Sequence, residues 1–215
     1  MKQNYHCSSS GEIAGGEYGE IRVSGGAKMT GDVVCDTLHV SGGVKAAKDL
    51  TCGELRASGS LKVEGMLTAA AAKISGGVKV QGTVKITEQL SLSGGLKTGG
   101  DVSAERFSCS GKVEIPGLLN AETIELSIGS RCEVENIGCT TLKVKKDFTG
   151  FSIGAKPCLK TESIEGDAIE LEYTEAEVVR GKNVTIGKKC KIGRVEYSES
   201  LDIRDGGEVE EQVKV

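Results

Sequence analysis

The chain has 215 residues, of which 31 are glycine and only 3% are aromatic, and tryptophan is absent. So few rings argue against the bulky core of a typical enzyme domain, because aromatic side chains supply much of the buried area in such cores. Only two prolines exclude collagen, while 38% hydrophobic residues and a formal net charge of -4 argue against a disordered chain, so the expected class is a narrow repetitive solenoid.

The charged residues are nearly balanced, with 27 Lys and Arg against 31 Asp and Glu, so we expect no nucleic-acid partner. No apolar run approaches the roughly 18 residues that span a bilayer, and residues 1–6 show no apolar segment of a signal peptide. We therefore expect a cytoplasmic protein, with peripheral contact to the inner face of the membrane as the alternative.

The tripeptide Ser-Gly-Gly recurs along the first half of the chain at nearly constant steps. It begins at Ser24, Ser41, Ser75 and Ser93, with variants at Ser58 and Ser110. Self-similarity at a fixed period is typical of repeat architectures. We predict an N-terminal tail or first partial coil over residues 1–20 and regular coils over residues 21–144.

Each coil contains three apolar-x-apolar pairs, which indicates three short strands with both apolar side chains on one face. Glycine and polar residues separate the pairs, where a corner needs positive φ or a close backbone approach. The pattern predicts an all-β, three-sided β-solenoid with about 17–18 residues per coil. The expected inward columns include Val44, Leu61 and Val78, then Leu50, Leu67 and Val84, and finally Leu38, Leu55 and Phe107.

Residues 145–161 interrupt this repeat and contain Phe148, Phe151 and Pro157. One further coil precedes them, and apolar pairs resume at Ile169. We predict an irregular coil or joint at 145–161, with Phe148 and Phe151 as a candidate interface segment, and C-terminal solenoid coils over residues 162–215.

Five lysines occupy the same outward position in successive coils: Lys28, Lys45, Lys62, Lys79 and Lys97. Stacked coils place them about 4.8 Å apart. One interpretation is a solvated face that blocks lateral association. The other is a ridge for an anionic partner, such as a lipid surface or a cell-wall polymer.

Few residues form a pattern typical of a catalytic, phosphate-binding or metal-binding site. The two histidines, His6 and His39, form no Ser-His-acid spacing, and the glycine-rich strings match no phosphate-binding motif. The eight cysteines contain no CxxC pair, and Cys35 and Cys52 share one inward column, where we expect them to pack as small apolar side chains. We therefore predict no catalytic residue, metal, cofactor or small-molecule substrate.

The segment from Val184 to Gly193 has two Ile-Gly steps with the spacing of a hexapeptide. This spacing is similar to the hexapeptide repeat of left-handed β-helix acyltransferases. The similarity covers two repeats, and it implies a histidine base, whereas no histidine follows His39. A degenerate acyltransferase is the least favoured function.

A second resemblance covers most of the chain. The pattern Gly-x-apolar-x-Ala-x-x-apolar occurs at 100–107 and at 117–124, and it resembles the coils of the bactofilins, which are bacterial polymer-forming cytoskeletal proteins. Residues 165–173 and 178–187 are similar to the longer, Gram-positive type. The resemblance implies a right-handed three-sided β-helix that forms nonpolar filaments without nucleotide, often at membranes, in scaffolds for cell shape, division or motility. The apolar N-terminal membrane-targeting peptide of that family has no match in this sequence.

The ends of a solenoid expose unpaired strand edges unless a capping element covers them. Neither terminal segment has the pattern of a capping helix, and residues 208–215 alternate like one more strand. We therefore predict a non-enzymatic structural protein that polymerises with itself through its terminal coils, with membrane or cell-wall-associated proteins as further partners. The alternative is a monomeric binding module that uses the lysine ridge.

Overall fold

Short parallel strands form almost all of the computed structural model, which describes residues 2–146 and 157–215. These residues contain no helix, and therefore no apolar helix of the length that crosses a bilayer. The strands stack in register as a β-solenoid, so the predicted all-β solenoid class is confirmed. The chain divides into two units, Met1–Glu105 and Arg106–Val215.

The first unit contains twelve strands and the start of a thirteenth. They are β1 Gln3–Cys7, β2 Ser10–Ile13, β3 Gly16–Val23, β4 Gly26–Met29, β5 Val33–Val40, β6 Gly43–Ala46, β7 Leu50–Ala57, β8 Ser60–Val63, β9 Leu67–Ile74, β10 Gly77–Val80, β11 Val84–Leu92, β12 Gly95–Thr98 and β13 Val102–Cys109.

Short and long strands alternate in this unit, and each stacks on its equivalent in the next coil. β4, β6, β8, β10 and β12 pair in parallel and form one side. The long strands contribute two sides each, because their pairing is interrupted once in the middle, as between Cys35 and Thr37 opposite Cys52 and Glu54. Each coil therefore has three sides, and apolar side chains alternate inward along every side, as period-two spacing requires.

One coil of this unit is longer than its neighbours because it contains a β-bulge. Val84 pairs with Leu67, and Gln89 pairs with Ala71, so the offset between register partners grows by one along the strand. The extra residue lies between Ile86 and Gln89, where two residues oppose one on the neighbouring strand. The bulge explains why the step from Ser75 to Ser93 exceeds the other steps of the repeat.

The two glycines of each Ser-Gly-Gly corner are under different constraints. A Cβ on Gly76 would overlap the carbonyl oxygen of Gly59 in the preceding coil, which no side chain tolerates. A Cβ on Gly77 would meet nothing within 4 Å, and Ser60 is the register partner of Gly77. Neither glycine has positive φ, so close backbone approach is the physical reason for the first glycine alone.

The interior is filled by the inward columns. The residues expected there are all buried: Val44, Leu61, Val78, Leu50, Leu67, Val84, Leu38, Leu55 and Phe107. Phe107 shows that one ring fits among aliphatic side chains. In-register stacking buries each apolar side chain against its own equivalents in the coils on either side, and burial of this kind is the main stabilising term of the fold.

The second unit has longer strands, because its sides join without a break in extended structure. After the end of β13 they are β14 Lys112–Ile128, β15 Arg131–Lys146, β16 Cys158–Leu171, β17 Thr174–Ile186, β18 Lys191–Ile203 and β19 Glu208–Lys214. Its corners also differ, since Tyr173, Lys189 and Asp205 have positive φ.

Coil length varies more in this unit than the repeat predicts. The step from Ile124 to its partner Leu142 matches the repeat, but the step from Ile169 to its partner Val184 is shorter. The corner at Tyr173, in the left-handed region at φ 51, leads from the buried Leu171 to the buried Thr174. A Ser-Gly-Gly corner leads from the buried Val23 to the buried Ala27 and so uses one residue more. The coil length predicted from the repeat therefore describes the first unit and not every coil of the second.

The predicted joint falls in the longest coil of the second unit. Leu142 pairs with Ile169, so many more residues separate these two register partners than separate the partners of the neighbouring coils. Phe148 and Phe151 lie outside the described residues. The domain boundaries proposed from the sequence and the right-handed coiling of the β-helix implied by the bactofilin resemblance stay predictions.

Candidate functional site

The five outward lysines of the repeat lie in one file on the first unit. Lys28, Lys45, Lys62, Lys79 and Lys97 are successive register partners on β4, β6, β8, β10 and β12. The residues on either side of each lysine point inward and are buried. We call this row of five the Lys ladder.

Two carboxylates lie beside the first three lysines of the Lys ladder. Glu12 is 3.5 Å from the Nζ of Lys28, and Glu64 is 3.4 Å from that of Lys45 and 2.8 Å from that of Lys62. The hydrogen bond from Lys62, with a second from Lys45, lowers the pKa of the Glu64 carboxyl. Glu64 is therefore ionised at neutral pH, and one negative charge is shared by two ammonium groups.

A second basic row runs along another side of the same unit. Its members in register are His6, Arg22, His39, Arg56 and Lys73. Its arginines are individually paired, because Arg22 lies 2.6 Å from Glu20 and Arg56 lies 2.7 Å from Glu54. The arginines of this row are thus neutralised and do not form an open cationic surface.

The second basic row contains both histidines, which the sequence analysis did not connect with each other. His6 and His39 are both register partners of Arg22, and their Nε2 atoms lie 4.0 and 3.9 Å from Glu20. The signal was present in the sequence, since each histidine lies close to one coil period from Arg22. Within residues 2–146 and 157–215, no group of three or more His, Cys, Asp or Glu side chains could hold a metal ion.

The cysteines lie in or beside the core. Cys35 and Cys52 are register partners and both are buried, as their shared column predicted. Burial raises the pKa of the Cys109 thiol to about 12 and that of Cys190 to about 11. A thiol is a weak nucleophile when protonated, and burial keeps these two thiols protonated at neutral pH.

Two tyrosines close the N-terminal end of the first unit. Tyr5 and Tyr18 occupy inward columns, as partners of the buried Ile21 and Cys35. Their rings meet edge to face at 6.5 Å, and their hydroxyls donate to the main-chain carbonyls of Glu12 at 3.1 Å and Ala14 at 2.9 Å. Sequence analysis missed this cap, although two rings so near the start of a ring-poor chain were a usable signal.

The C-terminal end of the second unit is built differently. β19 pairs along one edge with β18, and no pairing along its other edge occurs among the described residues. Ile203 is the register partner of the fully buried Ile186, yet its own side chain is 37% exposed. Among the described residues, this inward column therefore ends at the exposed Ile203, beside a strand edge that no other strand pairs with.

The two Ile-Gly steps are part of ordinary solenoid structure. Val184 and Ile186 end β17, Lys189 turns the chain with a φ of 59°, and β18 starts at Lys191. Cys190 is buried within this corner. The segment thus forms a corner and the strands on either side of it.

Two proteins of Bacillus subtilis strain 168 are similar to part of this chain. The uncharacterized protein YhbF is 41% identical over 100 residues, which cover 46% of the chain and 42% of YhbF. The uncharacterized protein YhbE is 42% identical over 107 residues, covering 47% of the chain and 45% of YhbE. The chain thus spans less than half the length of these curated relatives. No protein-family model and no solved structure matches it.

Proposed function

We propose that this chain is a non-enzymatic structural protein that assembles with itself, end to end, into filaments that need no nucleotide. The observation that carries the proposal is the C-terminal end of the second unit, where a free β-edge and the exposed Ile203 lie together. A free edge carries unpaired N–H and C=O groups that pair readily with a strand of another chain.

The internal construction of the fold supports the same proposal. Every stacked coil presents its neighbour with in-register main-chain bonds and a matching apolar surface, so a second copy placed at the end repeats a contact that the chain already makes many times. Side-by-side association has no such template, because the outward positions are mostly polar. The resemblance to the bactofilins supports a cytoplasmic scaffold of bacteria, for cell shape, division or motility.

The test replaces an aliphatic side chain at the end with a charge. We expect Ile203→Lys to abolish filaments, because a buried ammonium group without a partner opposes the end-to-end contact. Negative-stain electron microscopy and sedimentation of the full chain, at several salt and protein concentrations, measure the result.

Val34→Lys is the matched control. Val34 is 41% exposed on a side of the first unit, close to the 37% of Ile203, but it lies on a long strand paired on both edges. We expect this variant to form filaments like the wild type. Persistent monomers of the wild-type chain under all conditions, or equal loss of filaments in both variants, would contradict the proposal.

A further inference from the structure

The Lys ladder concentrates positive charge on one side of a unit that is neutral as a whole. Met1–Glu105 contains eleven Lys and Arg and eleven Asp and Glu. The five strands that carry the Lys ladder contain five lysines and no acidic residue. Like charges directly opposite each other on paired strands are destabilising. The five stacked lysines therefore lower the stability of the fold, and stability does not explain their presence.

Several charged residues in the second unit stack on a residue of opposite sign instead. Arg180 is the register partner of Glu165 on one strand and of Glu196 on the other, and it pairs with Glu196 at 2.8 Å. Lys143 pairs in the same way with its register partner Glu170 at 2.7 Å. The solenoid can therefore place opposite charges in one column. The column of the Lys ladder does so at its start, where Glu12 is the register partner of Lys28, but its next four register pairs join lysine to lysine.

The second basic row of the first unit also differs from the Lys ladder. Its strands carry the carboxylates that neutralise its arginines, since Glu20 lies on β3 with Arg22 and Glu54 lies on β7 with Arg56. The Lys ladder has no acidic residue on its own strands, and the single carboxylate of Glu64 is shared by two of its lysines.

Protection against aggregation does not account for the Lys ladder. Lysines block association where they lie on a free strand edge, but β6, β8 and β10 are each paired along both edges. The ammonium groups stand on the broad surface of this side, where no main-chain group is open to another strand.

The surface on one side of the Lys ladder, formed by the residues two positions before each lysine, is flat. Gly26, Gly43, Gly77 and Gly95 occupy the outward position next to the lysines, and a Cβ on any of them would meet nothing within 4 Å. Ser60 fills the same position in the remaining coil. No side chain larger than serine stands in that column, so it forms no wall to hold a polymer chain in a groove. A planar partner can approach until it meets the ammonium groups.

We propose that the Lys ladder is a docking surface for the head groups of an anionic lipid bilayer. The five lysines lie on strands stacked about 4.8 Å apart, so their ammonium groups can meet the phosphate plane together while the glycine column avoids steric contact. Each lysine near an anionic bilayer strengthens binding about five-fold. The docking needs one copy of the chain and does not depend on filament assembly.

Vesicle flotation tests the proposal, because floating vesicles separate bound protein from filaments, which sink. The probe is a vesicle of 30% phosphatidylglycerol in phosphatidylcholine, at about 0.1 M salt. We expect Lys45→Gln with Lys79→Gln to reduce the partition coefficient about 30-fold, since two charges are lost. We expect Glu64→Gln to raise it about five-fold, because that change frees Lys45 and Lys62 from a shared carboxylate.

Lys73→Gln with Lys85→Gln is the matched control. It removes the same two charges from exposed positions on the other sides of the same unit, and we expect it to change partition by less than about three-fold, because a charge held away from the bilayer is screened within about 10 Å. Circular dichroism checks that all variants keep the β-sheet spectrum.

Three results would overturn the proposal. The first is equal flotation of the wild type with pure phosphatidylcholine vesicles. The second is an equal loss of partition in the ladder variant and the control, which would indicate net charge and no defined surface. The third is tighter, ladder-dependent binding to soluble polyphosphate than to the vesicles, which would assign the surface to a linear polyanion.

Discussion

Gly76 and Gly77 are adjacent in the sequence, but the structure requires glycine only at Gly76. The carbonyl oxygen of Gly59 occupies the space that a Cβ on Gly76 would need, whereas Gly77 faces open space. Because the same approach recurs where Gly94 lies against Gly76, the corner holds the spacing of successive coils. The first glycine is thus a structural requirement of the repeat.

We expect Gly76→Ala to lower the free energy of unfolding by about 2–3 kcal/mol, since the overpacked corner must shift backbone. Gly77→Ala is the control and should change it by no more than about 0.5 kcal/mol. Urea unfolding followed by circular dichroism measures both. Equal effects of the two substitutions would show that the close approach to Gly59 is not what selects glycine.

A buried thiol gives the stability of the protein a dependence on alkaline pH. Burial raises the pKa of Cys109 from 9.0 to about 12, so the folded state retains a proton that the unfolded state releases. The stability from this group is fully present below about pH 9 and is lost as the pH rises toward 12, by about 1.4 kcal/mol per pH unit. Cys109→Ala removes the group, so the variant should lose about 2 kcal/mol less than the wild type between pH 9 and 11.

The comparison uses the slope of the free energy of unfolding against pH and not its absolute value, because the alanine also removes the packing contacts of the thiol. Unfolding is measured in urea with reductant present. If the two proteins lose stability in parallel over that range, Cys109 is not protonated in the folded state as its burial requires.

At the scale of the element, a β-bulge in β11 accommodates the one extra residue of this coil. Thr87 and Glu88 lie opposite Ala70, between the paired residues Ile86 and Gln89. The apolar side chains on both sides of the bulge stay inward, since Ile86 and Leu90 are buried. Coil length is therefore adjustable at a corner without changing which side chains of the following strand face the core.

Deleting Glu88 should return this coil to the common length and change the free energy of unfolding by less than about 1 kcal/mol, because no inward residue moves. Deleting Thr51 is the control. Thr51 lies between the inward residues Leu50 and Cys52, so its loss breaks the alternation and should cost about 4 kcal/mol or more. Thermal unfolding of the two variants checks the difference, and comparable destabilisation would show that the bulge is fixed by its own contacts.

At the scale of the whole molecule, the two chain ends differ in chemistry. The N-terminal end is covered by Tyr5 and Tyr18, whose hydroxyls already have main-chain partners. The C-terminal end presents Ile203 and the terminal Val215, which is 73% exposed. Ile203→Lys changes only the C-terminal end and leaves the Tyr5–Tyr18 ring pair at the N-terminal end intact. Loss of filaments in that variant alone would identify the C-terminal end as necessary for growth.

Much of the fold follows from the sequence because each strand of a stacked coil pairs with the equivalent strand of the next coil. The period assigned Val44 and Leu61 to one column, Lys45 and Lys62 to another, and Cys35 to the place beside Cys52, and the structure has these as register partners. In-register parallel pairing places residues that are one coil apart in the sequence on adjacent strands. The members of each column therefore follow directly from the repeat.

The tertiary structure decided the features that the repeat period does not predict. It showed that close approach and not positive φ selects Gly76, that Tyr5 and Tyr18 close one end, and that steps between register partners in the second unit can be shorter than the repeat. It also showed which outward charges are neutralised, since the carboxylate that serves Lys45 and Lys62 comes from the residue after β8. The sequence by itself determined the columns, because period and alternation are local. Corners, ends and ion pairs depend on the path of the backbone and on side chains in other columns, so only the folded chain settles them.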